Sequence, residues 1–236
     1  MAPITWIALT QITAPYGRHT RRGWGPQVSS KAGWVLMEAP ASLAFAAIFT
    51  MGDHRAEVTP IALLAVWQAH YLHRAFVYPF RRRGGDKPMP LAIVGMGVGF
   101  NLLNAYVNAR WVSHFGDYSA GWLMGVRFVG GVAMFGAGLM TNLWSDQVLA
   151  RLRGPGEIGY KIPQGGLYRY VSCPNYLGEL VEWSGWAMAT WSLPGLAFAL
   201  YTASNLVPRA VSNHRWYQKT FPEYPRERRA VVPFVL

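Results

Sequence analysis

Five apolar stretches of this chain carry polar side chains at helical spacing, and a sixth carries one glutamate. Tyr71, Arg74 and Tyr78 stand at i, i+3 and i+7, and Asn101, Asn104 and Asn108 repeat the pattern. Asn142 and Asp146 are four apart; Asn175, Glu179 and Trp183 are spaced by four, as are Arg209, Asn213 and Tyr217. Glu38 sits in "WVLMEAPAS". Residues at these intervals share one helix face, so each stretch has a polar stripe on an apolar body. Ionisable groups in such surroundings are costly and point to function. Arginine forks match phosphate oxygens, and Asn and Glu exchange hydrogen bonds with a carboxamide or with ribose hydroxyls. Stripes that turn inward together would line a cavity for an anionic, aromatic ligand such as a nucleotide. The competing reading is interhelical glue, with Arg74 paired to Asp146 and Arg209 to Glu179. Packing alone seldom needs so many polar groups on so many segments.

The elements that must hold these stripes are membrane spans. Of 236 residues, 52% are hydrophobic and 14% charged, against roughly 25% charged in a soluble domain. Eleven Trp and twelve Tyr suit the membrane interface. The net charge of +11 does not imply nucleic acid, because the basic residues are dispersed between apolar segments rather than gathered on one face. A lone Cys173 excludes internal disulfides and a cysteine zinc cage. The first 14 residues have no basic flank or cleavage-like ending and read as a retained short span. A span needs roughly 20 apolar residues, which predicts an all-α, polytopic fold with seven transmembrane helices at 1–14, 31–51, 58–80, 89–109, 120–150, 175–191 and 194–220. A tight turn is expected at Trp191-Ser192-Leu193-Pro194.

Alternate loops then segregate charge. Arg18, Arg21, Arg22 and Lys31 fall on one side with Arg81, Arg82, Arg83, Lys87, Arg151, Arg153, Lys161, Arg169, Lys219, Arg226, Arg228 and Arg229; Arg55 and Arg110 fall on the other. That asymmetry puts the N-terminus outside and the C-terminus in the cytoplasm, with the cavity toward the cytoplasmic side. No repeat or linker divides residues 1–236, so a single domain is expected. Gly95 and Gly99, with Gly121 and Gly125, fit close helix packing. "GMGVGF" lacks the strand–helix setting of a dinucleotide loop. His70 and His73 lack the further His pairs of a membrane di-iron site, so no metal is expected.

Three stretches, "HYLHRAFVY" at 70–78, "NLWSDQVLARLRGPGEIGYKIPQGGLYRYVSCPNYLGELVEW" at 142–183 and the ending "EYPRERRAVVPFVL", closely resemble the steroid 5α-reductase (3-oxo-5α-steroid 4-dehydrogenase) family, most densely over 142–236. The size and the missing N-terminal extension resemble a bacterial member. The resemblance implies a seven-helix membrane enzyme that delivers hydride from NADPH to the double bond of a Δ4-3-ketosteroid or a related enone lipid. It places Glu38 and Tyr71 on the catalytic pair. It places NADPH contacts on Arg74, Tyr78, Asn142, Asp146, Arg153, Tyr160, Asn175, Glu179, Trp183, Arg209 and Tyr217. Asn213 stands near the cofactor where the family has a histidine, and Met37 where it often has glutamine.

An enone accepts hydride at its β carbon only if the developing enolate is stabilised. Tyr71 is expected to donate to the carbonyl oxygen. A carboxylate cannot donate, so Glu38 must be protonated or orient Tyr71. Water is expected to supply the proton to the α carbon. Asn175, Glu179 and Trp183 would hold the nicotinamide end, and Gly165 and Gly166 would let the preceding loop fold against the cofactor. Glu182 lies off that face and is expected to pair with Arg127 or Arg215. The apolar substrate would enter sideways from the bilayer, while the loops at 81–87 and 154–166 close over the cofactor. The rival enzyme is a membrane S-adenosylmethionine-dependent methyltransferase of the isoprenylcysteine or phospholipid type, where Glu38 and Tyr71 have no obvious role. A sterol-binding protein without turnover is the non-enzymatic rival. Neither nucleic acid nor an obligate protein partner is expected. The membrane is expected to be the bacterial inner membrane, or the endoplasmic reticulum in a eukaryote.

Overall fold

The computed structural model describes residues 1–15, 17–19, 23–81, 88–119, 121–154, 157 and 159–236. Arg21, Arg22, Arg82, Arg83 and Lys87, and with them most of the first expected lid loop, lie outside the described residues. The apolar stretches fold as α-helices: α1 (Ala2–Gln11), α2 (Ser30–Phe49), α3 (Val58–Phe76), a short α4 (Tyr78–Arg81), α5 (Leu91–Arg110), α6 (Val126–Arg151), α7 (Pro174–Thr190) and α8 (Leu193–Thr220).

Boundaries differ from the sequence expectation in three places. The third stretch breaks at Val77, a π-helical turn at Trp111–Phe115 extends α5, and α6 begins only after a 3₁₀ turn at Trp122–Met124. Gln27–Val28 and Met89–Pro90 pair as a two-stranded antiparallel ribbon that periodicity did not predict. Among the described residues, three helices are long and apolar enough to cross a membrane: Ser30–Phe49, Leu91–Phe115 and Val126–Arg151. The other stretches are shorter or more polar. α1 has ten residues and α7 seventeen, and α8 carries Arg209, Asn213, His214 and Arg215.

Local chemistry fixes the helix starts. Ser29 caps α2 by accepting from the Ala32 amide, and Ser192 caps α8 by accepting from the Gly195 amide. The expected turn between α7 and α8 is present. Trp191 takes a left-handed conformation (φ 44°, ψ 48°), with the Arg127 guanidinium 4.1 Å from its ring centroid.

Helix backbones meet directly along the α6–α7 seam. A Cβ at Gly178 would stand 2.6 Å from the Asn142 nitrogen and 2.7 Å from the Gly138 carbonyl oxygen, and one at Gly185 would stand 2.5 Å from the Gly131 carbonyl oxygen. Bare backbone at Gly131, Gly138, Gly178 and Gly185 therefore lets the two helices touch. The glycines expected to do this do not: nothing approaches Gly95, Gly99 or Gly121, and Gly125 meets only its own turn.

Aromatic rings fill the core between α2, α3, α7 and α8. Trp67 stacks on Phe45 at 4.5 Å and lies 5.2 Å from Trp186, and its indole donates to the Ala41 carbonyl. Asn108 accepts from the Trp186 indole at 2.9 Å and donates to Asn104 at 3.0 Å. Those two members of the α5 stripe are internal glue. The C-terminal tail clamps the segment before α7. Ser172 and Cys173 donate their amides to Arg229 and Ala230, and buried Arg228 donates to the Pro163 carbonyl and to Gln164 Oε1. Gly165 and Gly166 adopt φ 84° and 47°, and Gly166 packs against the Trp144 indole instead of the large cavity.

Candidate active site

One cavity of about 820 Å³ gathers the stripes. That is at the upper end of the roughly 300–1,000 Å³ usual for a single ligand site. Glu38 reaches it from α2, and Tyr71 and Arg74 from α3. Tyr78 comes from α4, Asp146 from α6, and Asn175, Glu179 and Trp183 from α7. Arg209, Asn213 and Tyr217 project from α8, and Arg153 and Tyr160 from the segment after α6. Asn142 is the exception. It is buried behind the wall and donates to Glu179 Oε1 and to the Asn175 carbonyl, both at 3.1 Å.

The α3, α6 and α7 stripes close into a polar ring. Arg74 pairs with Asp146 at 3.4 Å and with Glu179 at 3.3 Å. Asn175 donates to Asp146 at 3.2 Å, and Asn142 links Glu179 back to Asn175. The Arg74 guanidinium also sits 4.8 Å from the Trp34 ring centroid and 4.5 Å from that of Tyr78. Glue and cavity wall are thus the same atoms here. The partner foreseen for Glu179, Arg209, donates instead to the Tyr176 hydroxyl at 3.1 Å. Removing Arg74 strands two carboxylates. Arg74→Met is therefore expected to cost about 3–5 kcal/mol of stability, read as a lowered thermal midpoint of the detergent-solubilised protein.

Glu38 accepts from Asn101 Nδ2 at 3.3 Å, and the same amide donates to the Met37 carbonyl at 2.6 Å. Tyr71 lines the same cavity, its ring held by Trp67 at 4.8 Å and by Trp183 at 5.6 Å. Among the described residues no hydrogen bond joins Glu38 to Tyr71. Apolar side chains line the same cavity: Ile4 and Ala8 of α1 with Ile12 just after it, Met96 and Phe100 of α5, and Phe198 and Leu206 of α8. No residue of α1 is buried.

The charged end is richer than spacing suggested. Six cations (Arg18, Lys31, Arg74, Arg153, Lys161 and Arg209) and three carboxylates (Glu38, Asp146 and Glu179) line the cavity. A cationic sulfonium cofactor would meet a net positive wall; a polyanion would be attracted. Arg18 lies 5.2, 4.8 and 4.6 Å from the ring centroids of Tyr160, Trp216 and Tyr217. Its Nη1 is buried without a partner among the described residues. Burial alone would lower this guanidinium, but its contacts with Tyr217, a hydrogen bond among them, hold it above its ordinary value, and an arginine stays charged in any case. His19 pairs with Asn213 at 3.0 Å. Both residues come from a loop without periodicity, and nothing but the basic character of Arg18 marked them in the sequence. Burial pushes the Cys173 thiol up to about 11, which leaves it unreactive.

Glu182 does not meet Arg127 or Arg215. It is fully buried, and its Oε1 lies 2.7 Å from Nδ1 of His70, a residue that also lines the cavity. The helix turns Glu182 toward α3, whereas Arg127 lies against Trp191.

Comparison with known proteins agrees with this architecture. A family model described as 3-oxo-5-alpha-steroid 4-dehydrogenase matches residues 87–236. The chain is 44% identical over 240 residues to the steroid 5-alpha-reductase DET2 of Arabidopsis thaliana, covering 99% of this chain and 92% of that protein. It is 45% identical over 239 residues to the Solanum lycopersicum DET2, at 100% and 93% coverage. With the 3-oxo-5-alpha-steroid 4-dehydrogenase 1 of Homo sapiens it shares 40% over 227 residues, at 95% and 87% coverage. A multi-helix chain with apolar spans, matched by this family over most of its length, belongs to the steroid 5α-reductase (3-oxo-5-alpha-steroid 4-dehydrogenase) family of oxidoreductases.

Proposed function

We propose that the chain is a seven-span, single-domain membrane enzyme, with its C-terminus in the cytoplasm, that uses NADPH to reduce the Δ4 double bond of a 3-oxo steroid. The observation that carries this is the shared wall. Glu38 and Tyr71 open onto the same cavity as the Arg74 ring and the arginines of α8 and the first loop. When bound, NADPH supplies a hydride; all else is done by the chain.

The residues present suit that cofactor. Asn175 and Glu179 offer an amide and a carboxylate to a carboxamide and to ribose hydroxyls. Trp183 offers an aromatic face, and Arg18, Arg153 and Arg209 offer forks for phosphates. Among the described residues the buried Nη1 of Arg18 has no acceptor, and since a buried donor without one is costly, this supports an anion there.

Tyr71 donates its phenolic hydrogen to the ketone oxygen and so stabilises the enolate that forms as the β carbon is reduced. Glu38, held by Asn101, flanks the same oxygen. The apolar wall along α1 and α5 accepts the steroid skeleton, which enters from the bilayer past α1.

The test is NADPH oxidation at 340 nm with progesterone or testosterone, using purified protein in detergent. No steroid-dependent oxidation in folded wild type would remove the reading. Arg18→Ala separates the phosphate assignment from the rest. Loss of one charge-assisted contact of about 1.5–3 kcal/mol should weaken NADPH about 10- to 100-fold, with NADH binding little changed. Equal weakening of both would place Arg18 on a part common to the two cofactors.

A further inference from the structure

The proposed reduction needs a proton as well as a hydride, and a titratable side chain stands beside Tyr71 in the cavity wall. Tyr71 is packed among Trp67, Trp183 and His70 at centroid distances of 4.8, 5.6 and 4.9 Å. His70, the imidazole in that aromatic wall, lines the cavity. Its Nδ1 lies 2.7 Å from Glu182 Oε1, which leaves Nε2 as the nitrogen available to a ligand. Glu182 is 0% exposed, His70 is 4% exposed, and among the described residues Glu182 Oε2 has no partner. A bare carboxylate is expensive in such a place, whereas an acid–imidazole pair with one proton between its members carries no net charge. Wherever that shared proton sits, Nε2 of the neutral pair bears a hydrogen.

We propose that His70, held by Glu182, is the proton donor to the α carbon of the enone, in place of the water expected from sequence. This rests on the reductase reading. With the ketone oxygen on Tyr71, the α carbon lies two bonds away, beside the neighbouring His70 ring. Hydride addition at the β carbon moves the double-bond pair toward the ketone and gives an enolate. That pair then forms the α C–H bond with the Nε2 proton; the broken N–H pair stays on nitrogen, and the shared proton remains on Nδ1 facing Glu182. After product leaves, Nε2 recovers a proton from water. The other charged groups near His70 are Arg74 on its own helix, Glu179 on α7 and Glu38 on α2.

The experiment uses the full chain with NADPH and progesterone in deuterated water, comparing wild type, His70→Gln and Glu182→Gln. NMR of the product reads which face of the α carbon takes deuterium. Wild type should label one face. His70→Gln should lose about 100-fold or more in kcat, the usual scale for a general acid, and label both faces as water takes over. Glu182→Gln keeps the packing volume and should lower kcat about tenfold or more at little-changed KM. Single-face labelling in His70→Gln would overturn the proposal. So would wild-type kcat in Glu182→Gln, which decides the matter if His70→Gln does not fold. An inactive wild type would instead count against the reductase reading itself.

Discussion

Tyr71→Phe is expected to lower kcat about 100- to 1,000-fold, the loss seen when one donor to a developing oxyanion is removed. Three rings surround Tyr71, and every one of those contacts is made by its ring rather than its hydroxyl. Phenylalanine keeps them, so the variant should fold with its thermal midpoint nearly unchanged. Arg74, Asp146, Asn175 and Glu179 also keep their ring of contacts, so affinity for NADPH should hold. A fall in kcat with intact cofactor affinity therefore separates loss of carbonyl polarisation from loss of the site. Glu38→Gln keeps an acceptor for Asn101 but cannot ionise, and it should reduce kcat by less than Tyr71→Phe. Titration of NADPH by fluorescence and steady-state turnover of progesterone provide both readouts. Full activity in both variants would sink the assignment of the pair.

The polar stripes were legible because helical spacing is a local property: side chains four residues apart must share a face wherever the helix ends up. Spacing alone did not say what each stripe meets. Asn101 turns to Glu38, whereas Asn104 and Asn108, on the same stripe, are consumed in the core by one another and by Trp186. Asn142 was grouped with Asp146, yet a crossing helix covers it. Contacts between distant segments were illegible for the same reason. His70 and Glu182 meet across 112 positions of sequence. Arg18 sits in a loop, where no period marks which way a side chain points. The resemblance to a known family added roles that spacing could not, such as those of Glu38 and Tyr71. Glycine was the most misleading letter. Spacing by four suggested close packing at Gly95 and Gly99, but the glycines that bring the α6 and α7 backbones together are seven apart on each side, at Gly131 and Gly138 and at Gly178 and Gly185.

Gly178→Val should abolish the folded protein. In a bilayer, helix association has no hydrophobic drive and depends on close packing and hydrogen bonds. The added side chain would begin 2.6 Å from the Asn142 nitrogen and 2.7 Å from the Gly138 carbonyl oxygen. Those are backbone atoms, which cannot swing aside as a side chain does. α7 would have to retreat from α6, and the first contacts broken would be those of Asn142 with Glu179 and Asn175. The polar ring behind the cavity depends on that spacing, so any material that does fold should have lost NADPH affinity. Gly136→Ala, on the facing helix α6, is the control. Nothing lies within 4 Å of a Cβ there, and helix propensity alone favours alanine by about 0.8–1.0 kcal/mol. Size-exclusion profiles and thermal midpoints in detergent distinguish the two. A Gly178→Val protein that folds and binds NADPH normally would mean that the α6–α7 contact does not set the position of Glu179. The cavity would then need some other element to hold its charged wall in place.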